Sequence, residues 1–173
     1  MNYFELFDLP VSLSPDKSRI PLKYFELQKK YHPDFFTKAS DEEQNEVLEK
    51  SSMINKAFKI LQDQDATIKY VLELKGMLAN EEKYELPPAF LMEMMELNEE
   101  LEDQSDSSGQ EAEVKIRQFE NSLYEEVKSI IEYYNEENTT EAQLLQVKDY
   151  YFKKKYLQRL LERLDGIRNI ASP

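Results

Sequence analysis

Apolar residues recur at steps of three and four along almost the whole chain, and only three glycines interrupt them. That spacing returns a side chain to the same face once per helical turn and does not fit the alternation of a half-buried strand, so the fold is restricted to packed amphipathic helices. With 173 residues there is room for one ordinary domain or two small ones. Hydrophobic residues make up 40% and charged residues 33%, a balance that suits an ordered, charge-rich helical protein rather than a disordered or fibrous one.

The helices can be placed from their caps and stops. A short first helix covers "NYFELF", with Asn2 as its cap and Phe4 and Phe7 facing inward, and it stops at Asp8-Leu9-Pro10. A second runs to about Tyr31, with Ile20, Tyr24, Leu27 and Tyr31 on one face. Asp16 or Ser14 is its candidate cap, and Pro21 belongs in its first turn, where no backbone donor is needed. Ser40 followed by Glu43 is a capping-box pattern that starts a third helix near Asp41, with Val47, Ser51, Ile54, Phe58 and Leu61 as its face. The short loop between them predicts antiparallel packing. A fourth helix ends at Gly76, with Ile68, Val71, Leu72 and Leu74 as its apolar set.

From Met77 to Pro88 the periodicity is lost, and we place a linker over 77–88 between units covering 1–76 and 89–173. The second unit reads as an antiparallel three-helix bundle. Its helices are "AFLMEMMELNEELED", a stretch carrying Ile116, Phe119, Leu123, Val127, Ile130 and Tyr134, and one running to about Asn169 through Leu144, Val147, Tyr151, Leu157, Leu160, Leu161 and Leu164. "QSDSSGQ" reads as a polar loop, and either Asn138 with Glu141 or Thr140 with Gln143 caps the last helix.

Several function classes are excluded by composition. There is no cysteine, hence no disulfide, thiolate-held cluster, Cys-type zinc site or cysteine nucleophile. The net charge of -13 argues against nucleic-acid binding, which needs clustered Lys and Arg. No apolar run reaches the roughly 18 residues of a membrane span, and the amino terminus lacks the basic and apolar regions of a secretory signal, so the chain reads as cytoplasmic with no membrane partner. No Gly-rich phosphate loop is present. The one histidine, His32, has too few companions for a metal site or an acid-base pair, so we expect neither catalysis nor a metal or other cofactor.

His32 is instead the first residue of His-Pro-Asp in "KKYHPDFFTKAS". As a plain helix stop, Pro33 would stiffen the bend and Asp34 would bond nearby amides. The setting suggests more: the tripeptide sits at the tip between two antiparallel helices, behind Arg19, Lys23, Lys29 and Lys30, which lie away from the apolar face of the second helix. A basic strip ending in a rigid polar tip suits an acidic partner surface.

The stretch after Pro87-Pro88 has two apolar stripes. With Phe90 at zero on a helical wheel, Met94, Leu97 and Leu101 fall within about 40 degrees of it, whereas Leu91, Met92 and Met95 fall on the other side with Glu96, Glu99 and Asp103. A bundle helix needs only one such stripe. The second is either covered by a neighbouring element or forms an adaptable, acid-rimmed contact surface.

"YFELFDLP", "LKYFELQKKYHPD" and "SSMINKAFKIL" together resemble the first three helices of a J-domain, the module with which co-chaperones stimulate ATP hydrolysis by DnaK-type chaperones. The tripeptide alone is a weak signal, and its place between matching helices makes it a strong one. With "YVLELKG" and "AFLMEMMELNEELED", the resemblance extends over nearly the full length to the HscB co-chaperones of iron-sulfur cluster assembly. It implies a non-enzymatic, monomeric, all-α protein that engages an HscA-like chaperone through its J-domain and holds the scaffold protein IscU on its C-terminal bundle. Carried over residue by residue, Lys23, Lys29, Lys30, His32, Pro33 and Asp34 would bind the chaperone. Leu91, Met92, Met95, Glu96, Glu99, Asp103 and Tyr156 would bind the scaffold.

Two departures stand out. Phe35 and Phe36 occupy positions where a basic residue commonly follows the tripeptide, and one is expected to insert between the helices while the other meets the partner. Thr67 stands near where an arginine is common in the fourth helix. The cysteine-rich zinc segment of some eukaryotic relatives is absent, as expected for a bacterial-type protein. Rival readings are a J-domain co-chaperone with a different client, a structural helical adaptor, or an enzyme using acidic residues.

Overall fold

The computed structural model describes residues 1–102 and 108–171, with side chains at 108–109 and 167–171 outside that description. Its regular elements are α-helices, α1 (Tyr3–Leu6), α2 (Arg19–Tyr31), α3 (Asp41–Gln62), α4 (Gln64–Leu74), α5 (Pro88–Glu102), α6 (Ser108–Glu132) and α7 (Glu141–Ala171), with one short 3-10 helix at Pro33–Phe36. The chain divides into two compact units, one of residues 1–75 with 134–138, the other of 76–133 with 139–173.

In the first unit, Asn2 and Glu5 close a reciprocal capping box on α1. The helix ends with Asp8 at φ 54°, where Asp8 N–H donates to the Glu5 carbonyl and Leu9 N–H to that of Phe4. This is a left-handed C-terminal cap that a short polar residue tolerates. Tyr3 stacks on Tyr70 of α4 at 4.4 Å and donates its backbone N–H to the Tyr70 hydroxyl. Phe4, Phe7, Leu13, Ile20, Ile54, Leu61, Ile68 and Leu72 form the buried centre, each contributing about 1.5–3 kcal/mol relative to exposure.

Neither Asp16 nor Ser14 caps α2. The N-cap is Ser18, which makes no side-chain bond to the helix. The Asp16 carboxylate instead accepts from the backbone N–H and hydroxyl of Ser18, shaping the turn before the helix. Pro21 does lie in the first turn. α2 and α3 run antiparallel, as Tyr24 stacks on Phe58 at 4.0 Å while Lys50 sits over the Tyr31 ring. The Ser40–Glu43 capping box forms.

The corner between α3 and α4 is tied twice. Lys17 Nζ donates to the carbonyls of Leu61 and Gln62, a cation on the negative end of α3, and its partial burial lowers its pKa. Thr67 is fully buried and its hydroxyl donates to the Ile60 and Asp63 carbonyls. Threonine thus has a local structural role where the family pattern suggested an arginine. Leu74 is exposed, contrary to its expected place in the core. It is the final residue of α4, beyond the face set by Ile68, Val71 and Leu72.

In the second unit, α5, α6 and α7 touch pairwise. Phe90 meets Phe119 and Glu100 pairs with Lys115, which makes α5 and α6 antiparallel. Phe90 also meets Tyr156, and Glu102 pairs with Arg163, so α7 returns parallel to α5. Thr140 with Gln143 supplies the α7 cap. α6 starts at Ser108, inside the stretch read as a loop, since polar residues are accommodated in a first turn. Its fully buried residue near the end is Ile131 rather than Ile130, because four residues after Val127 lie closer to a whole turn than three.

The stretch before α5 lacks helical periodicity yet is held by side chains. Leu78 is buried, Tyr84 stacks on Phe152 at 4.5 Å, and Glu82 pairs at 2.8 Å with the buried Lys148. The Tyr84 hydroxyl donates to Asp149 at 2.8 Å. Burial and this carboxylate neighbour push the phenol from 10.0 up to about 12. Between those values the unfolded chain loses the proton first, so this residue's contribution to stability is present below pH 10 and disappears as pH rises towards 12. Tyr84→Phe should therefore cost roughly 1 kcal/mol at neutral pH. It should also flatten the alkaline loss of stability relative to the parent, as measured by urea unfolding at pH 8 and pH 11.

Candidate functional site

Two surfaces, one on each unit, carry the residues singled out from the sequence. On the first, α2 ends at His32, whose backbone turns extended (φ -71°, ψ 127°) so that Pro33 can open the 3-10 helix. His32 Nδ1 accepts the Asp34 backbone N–H at 3.3 Å, which makes the imidazole the N-cap of that helix. The Asp34 carboxylate lies 3.6 Å from the same nitrogen and projects into solvent. From α3, Gln44 reaches back to the carbonyls of Thr37 and Ala39 and fixes the far side of the loop. His32, Pro33 and Asp34 are therefore tied into one turn.

Of the basic residues, Lys29 and Lys30 occupy the last turn of α2 beside this tip. Lys23, two turns earlier, is engaged with Asp8 at 3.9 Å and Glu26 at 3.4 Å. Surface pairs of this kind are worth about 0–1 kcal/mol, so an acidic partner could displace them at small cost. Phe36 is half-buried and Phe35 is 70% exposed, its ring meeting that of His32 edge to face at 5.8 Å. Full insertion of either phenylalanine between the helices does not occur.

On the second unit, Phe90, Met94 and Leu101 of α5 are buried as the wheel requires, and Leu97 is half-buried. Leu91, Met92 and Met95 are 38%, 66% and 62% exposed, so the second stripe of α5 is an open apolar surface. Glu96 and Glu99 border it and are exposed, whereas Asp103 lies outside the described residues. Tyr156 of α7 is half-buried and meets α5 at Phe90, on the buried stripe of that helix rather than on the Leu91, Met92 and Met95 stripe.

Leu22 and Phe25 were not marked by sequence reasoning. They are 69% and 62% exposed on α2, and the signal for them is their three-residue spacing, out of register with Ile20, Tyr24 and Leu27. Among the described residues no group of three His, Cys, Asp or Glu is placed to hold a metal ion, and no helix is long and apolar enough to cross a membrane.

The described residues thus form an all-helical protein with a capped His-Pro-Asp turn between antiparallel helices in one unit and a helical bundle with an open apolar face in the other. Residues 86–165 match the family described as HSCB C-terminal oligomerisation domain. A "Co-chaperone protein HscB homolog" from Vibrio vulnificus is 33% identical over 169 residues, covering 95% of both chains. The chain belongs to the HscB co-chaperone family. A homolog from Photobacterium profundum is 35% identical, covering 95% of this chain and 97% of its own, and one from Vibrio parahaemolyticus is 42% identical over 113 residues, covering 65% and 66%. Among solved structures, the chaperone HscB from Vibrio cholerae superposes with a TM-score of 0.77 at 28% identity, covering 99% of this chain and all of that one. The human co-chaperone protein HscB gives 0.80 at 27%, covering 97% and 82%. These relatives are named co-chaperones, and the protein is a co-chaperone rather than an enzyme.

Proposed function

We propose that this protein stimulates the ATPase of a DnaK-type, HscA-like chaperone and delivers to it the iron-sulfur scaffold protein IscU, so aiding cluster assembly and transfer. What supports the reading is the pairing, within one chain, of a capped His-Pro-Asp turn flanked by lysines with an open, acid-rimmed Met and Leu surface. Residues 1–76 act as the J-domain, 77–88 as the connection and 89–173 as the client-binding bundle. The protein acts in the cytoplasm as a monomer that meets two unlike partners.

His32, Pro33 and Asp34, with Lys23, Lys29 and Lys30, contact the chaperone. This tip binds the hydrolysis-competent conformation better than the resting one, since a ligand shifts an equilibrium only by differential affinity. Leu91, Met92, Met95, Glu96, Glu99, Asp103 and Tyr156 contact the scaffold, and carrying it on the same chain as the tip raises its effective concentration at the chaperone. In a single-turnover assay with an HscA-type chaperone, ATP hydrolysis should accelerate on adding the protein and accelerate further when IscU is present. No acceleration would defeat the co-chaperone mechanism; acceleration without any binding of IscU would assign a different client.

A further inference from the structure

The tip does not account for the apolar side chains beside it. Leu22, Phe25, Lys29 and His32 follow one another at spacings of three, four and three, which aligns them along one side of α2 over about 15 Å. Leu22 and Phe25 are more than three-fifths exposed, and Phe35 continues the line by its edge contact with the His32 ring. Lys29 Nζ lies 4.7 Å from the centroid of the Phe25 ring, so a cation covers the aromatic face instead of extending away from it. The opposite side of α2, through Ile20, Tyr24 and Leu27, packs within the first unit. α2 thus carries a second apolar stripe, in line with the His-Pro-Asp turn.

We infer that Leu22 and Phe25 anchor the docking of this protein on its chaperone, fitting an apolar pocket edged by carboxylates on the chaperone's ATPase domain. The inference rests on the reading of His32 as the chaperone-binding tip, and it goes beyond that reading by making the contact apolar at its centre and charged only at its border. Two observations select this occupant. The stripe is continuous with the tip, so a partner seated on His32 also covers it. Lys29 and Lys30 face outward on a chain of net charge -13, which calls for an acidic partner. Exposed aromatic and leucine anchors ringed by charge are the arrangement in which a few residues carry most of a binding free energy.

The test is a titration of the full-length protein into the chaperone under single-turnover conditions, comparing the parent, Leu22→Ala/Phe25→Ala and His32→Gln. For the double variant we expect the half-saturating concentration to rise roughly 30-fold while maximal stimulation at saturation is retained. His32→Gln should lose the maximum itself. If the parent and the double variant share one half-saturating concentration while His32→Gln is inactive, the anchor is wrong and the tip stands. If the parent does not stimulate, the underlying reading fails. The competing occupant is a second copy of the chain, whose acid-rimmed α5 surface has matching chemistry. Concentration-dependent dimerisation of the parent in sedimentation velocity, abolished by the double variant, would overturn the inference in favour of self-association.

Discussion

Replacing His32 by glutamine should reduce stimulation of the chaperone ATPase to within about twofold of the unstimulated rate while leaving the fold intact. A hundredfold acceleration corresponds to about 2.7 kcal/mol of preferential binding to the hydrolysis-competent state, which a few well-placed contacts can supply. His32 is well placed in two respects. Its Nδ1 caps the 3-10 helix at Asp34, and its ring edge braces Phe35. Glutamine keeps polarity but loses both the short reach to the amide and the ring.

A purely local role for the imidazole predicts something different, and His32→Asn separates the two. Asparagine is a favoured N-cap and can restore the bond to the Asp34 amide. On the proposed reading, in which the partner meets the ring and the Asp34 carboxylate together, it should be as inactive as glutamine. Full activity of the asparagine variant would reduce His32 to a turn-former, and full activity of His32→Gln would remove the tip from the mechanism altogether. Thermal unfolding of both variants should stay within a few degrees of the parent, since His32 is half-buried and contacts the exposed Asp34 and Phe35.

The second large effect is expected on the α5 surface. Leu91→Ala/Met92→Ala/Met95→Ala should weaken binding of purified IscU by about 150- to 2,000-fold, at roughly 1–1.5 kcal/mol for each anchor removed. These side chains are exposed in the free protein, so the same triple variant should unfold at nearly the parent temperature. That combination distinguishes a contact surface from a core. The rim should behave otherwise: Glu96→Lys/Glu99→Lys should mainly slow association and weaken its salt dependence, because border charges steer encounter more than they hold the complex. Isothermal titration measures the affinity and stopped-flow mixing at two salt concentrations measures the association rate, and a triple variant that binds within about twofold of the parent would exclude this surface as the scaffold site.

The parts of the structure that were legible in the sequence are those governed by local chemistry. The Ser40–Glu43 cap is read from residue types at fixed spacing and forms, and for α7 the same rule offers two candidates, of which Thr140 with Gln143 forms and Asn138 with Glu141 does not. Phe4, Phe7, Ile54 and Met94 were assigned inward by periodicity and are buried. Periodicity fails where a turn does not divide into whole residues, as with Ile130 against Ile131, or at a helix end, as with Leu74. It also reports that a residue lies off the core face without saying what that position offers. Lysines at such positions on α2 were read as a charged strip, and Leu22 and Phe25 between them went unmarked. Asp16 was misread for a related reason: an acidic side chain near a helix start can cap the helix or shape the turn before it, and here it does the latter.

The segment leading into α5 has a consequence for local motion. Backbone without helical hydrogen bonds ordinarily opens within the small free energies typical of loops, and its amides exchange quickly with solvent. Here Leu78 is buried, Glu82 holds a buried ammonium and Tyr84 lies flat on Phe152, so freeing this backbone means breaking its hold on the middle of α7. The segment should therefore open together with residues 148–152 and acquire deuterium on the timescale of that helix rather than that of a loop.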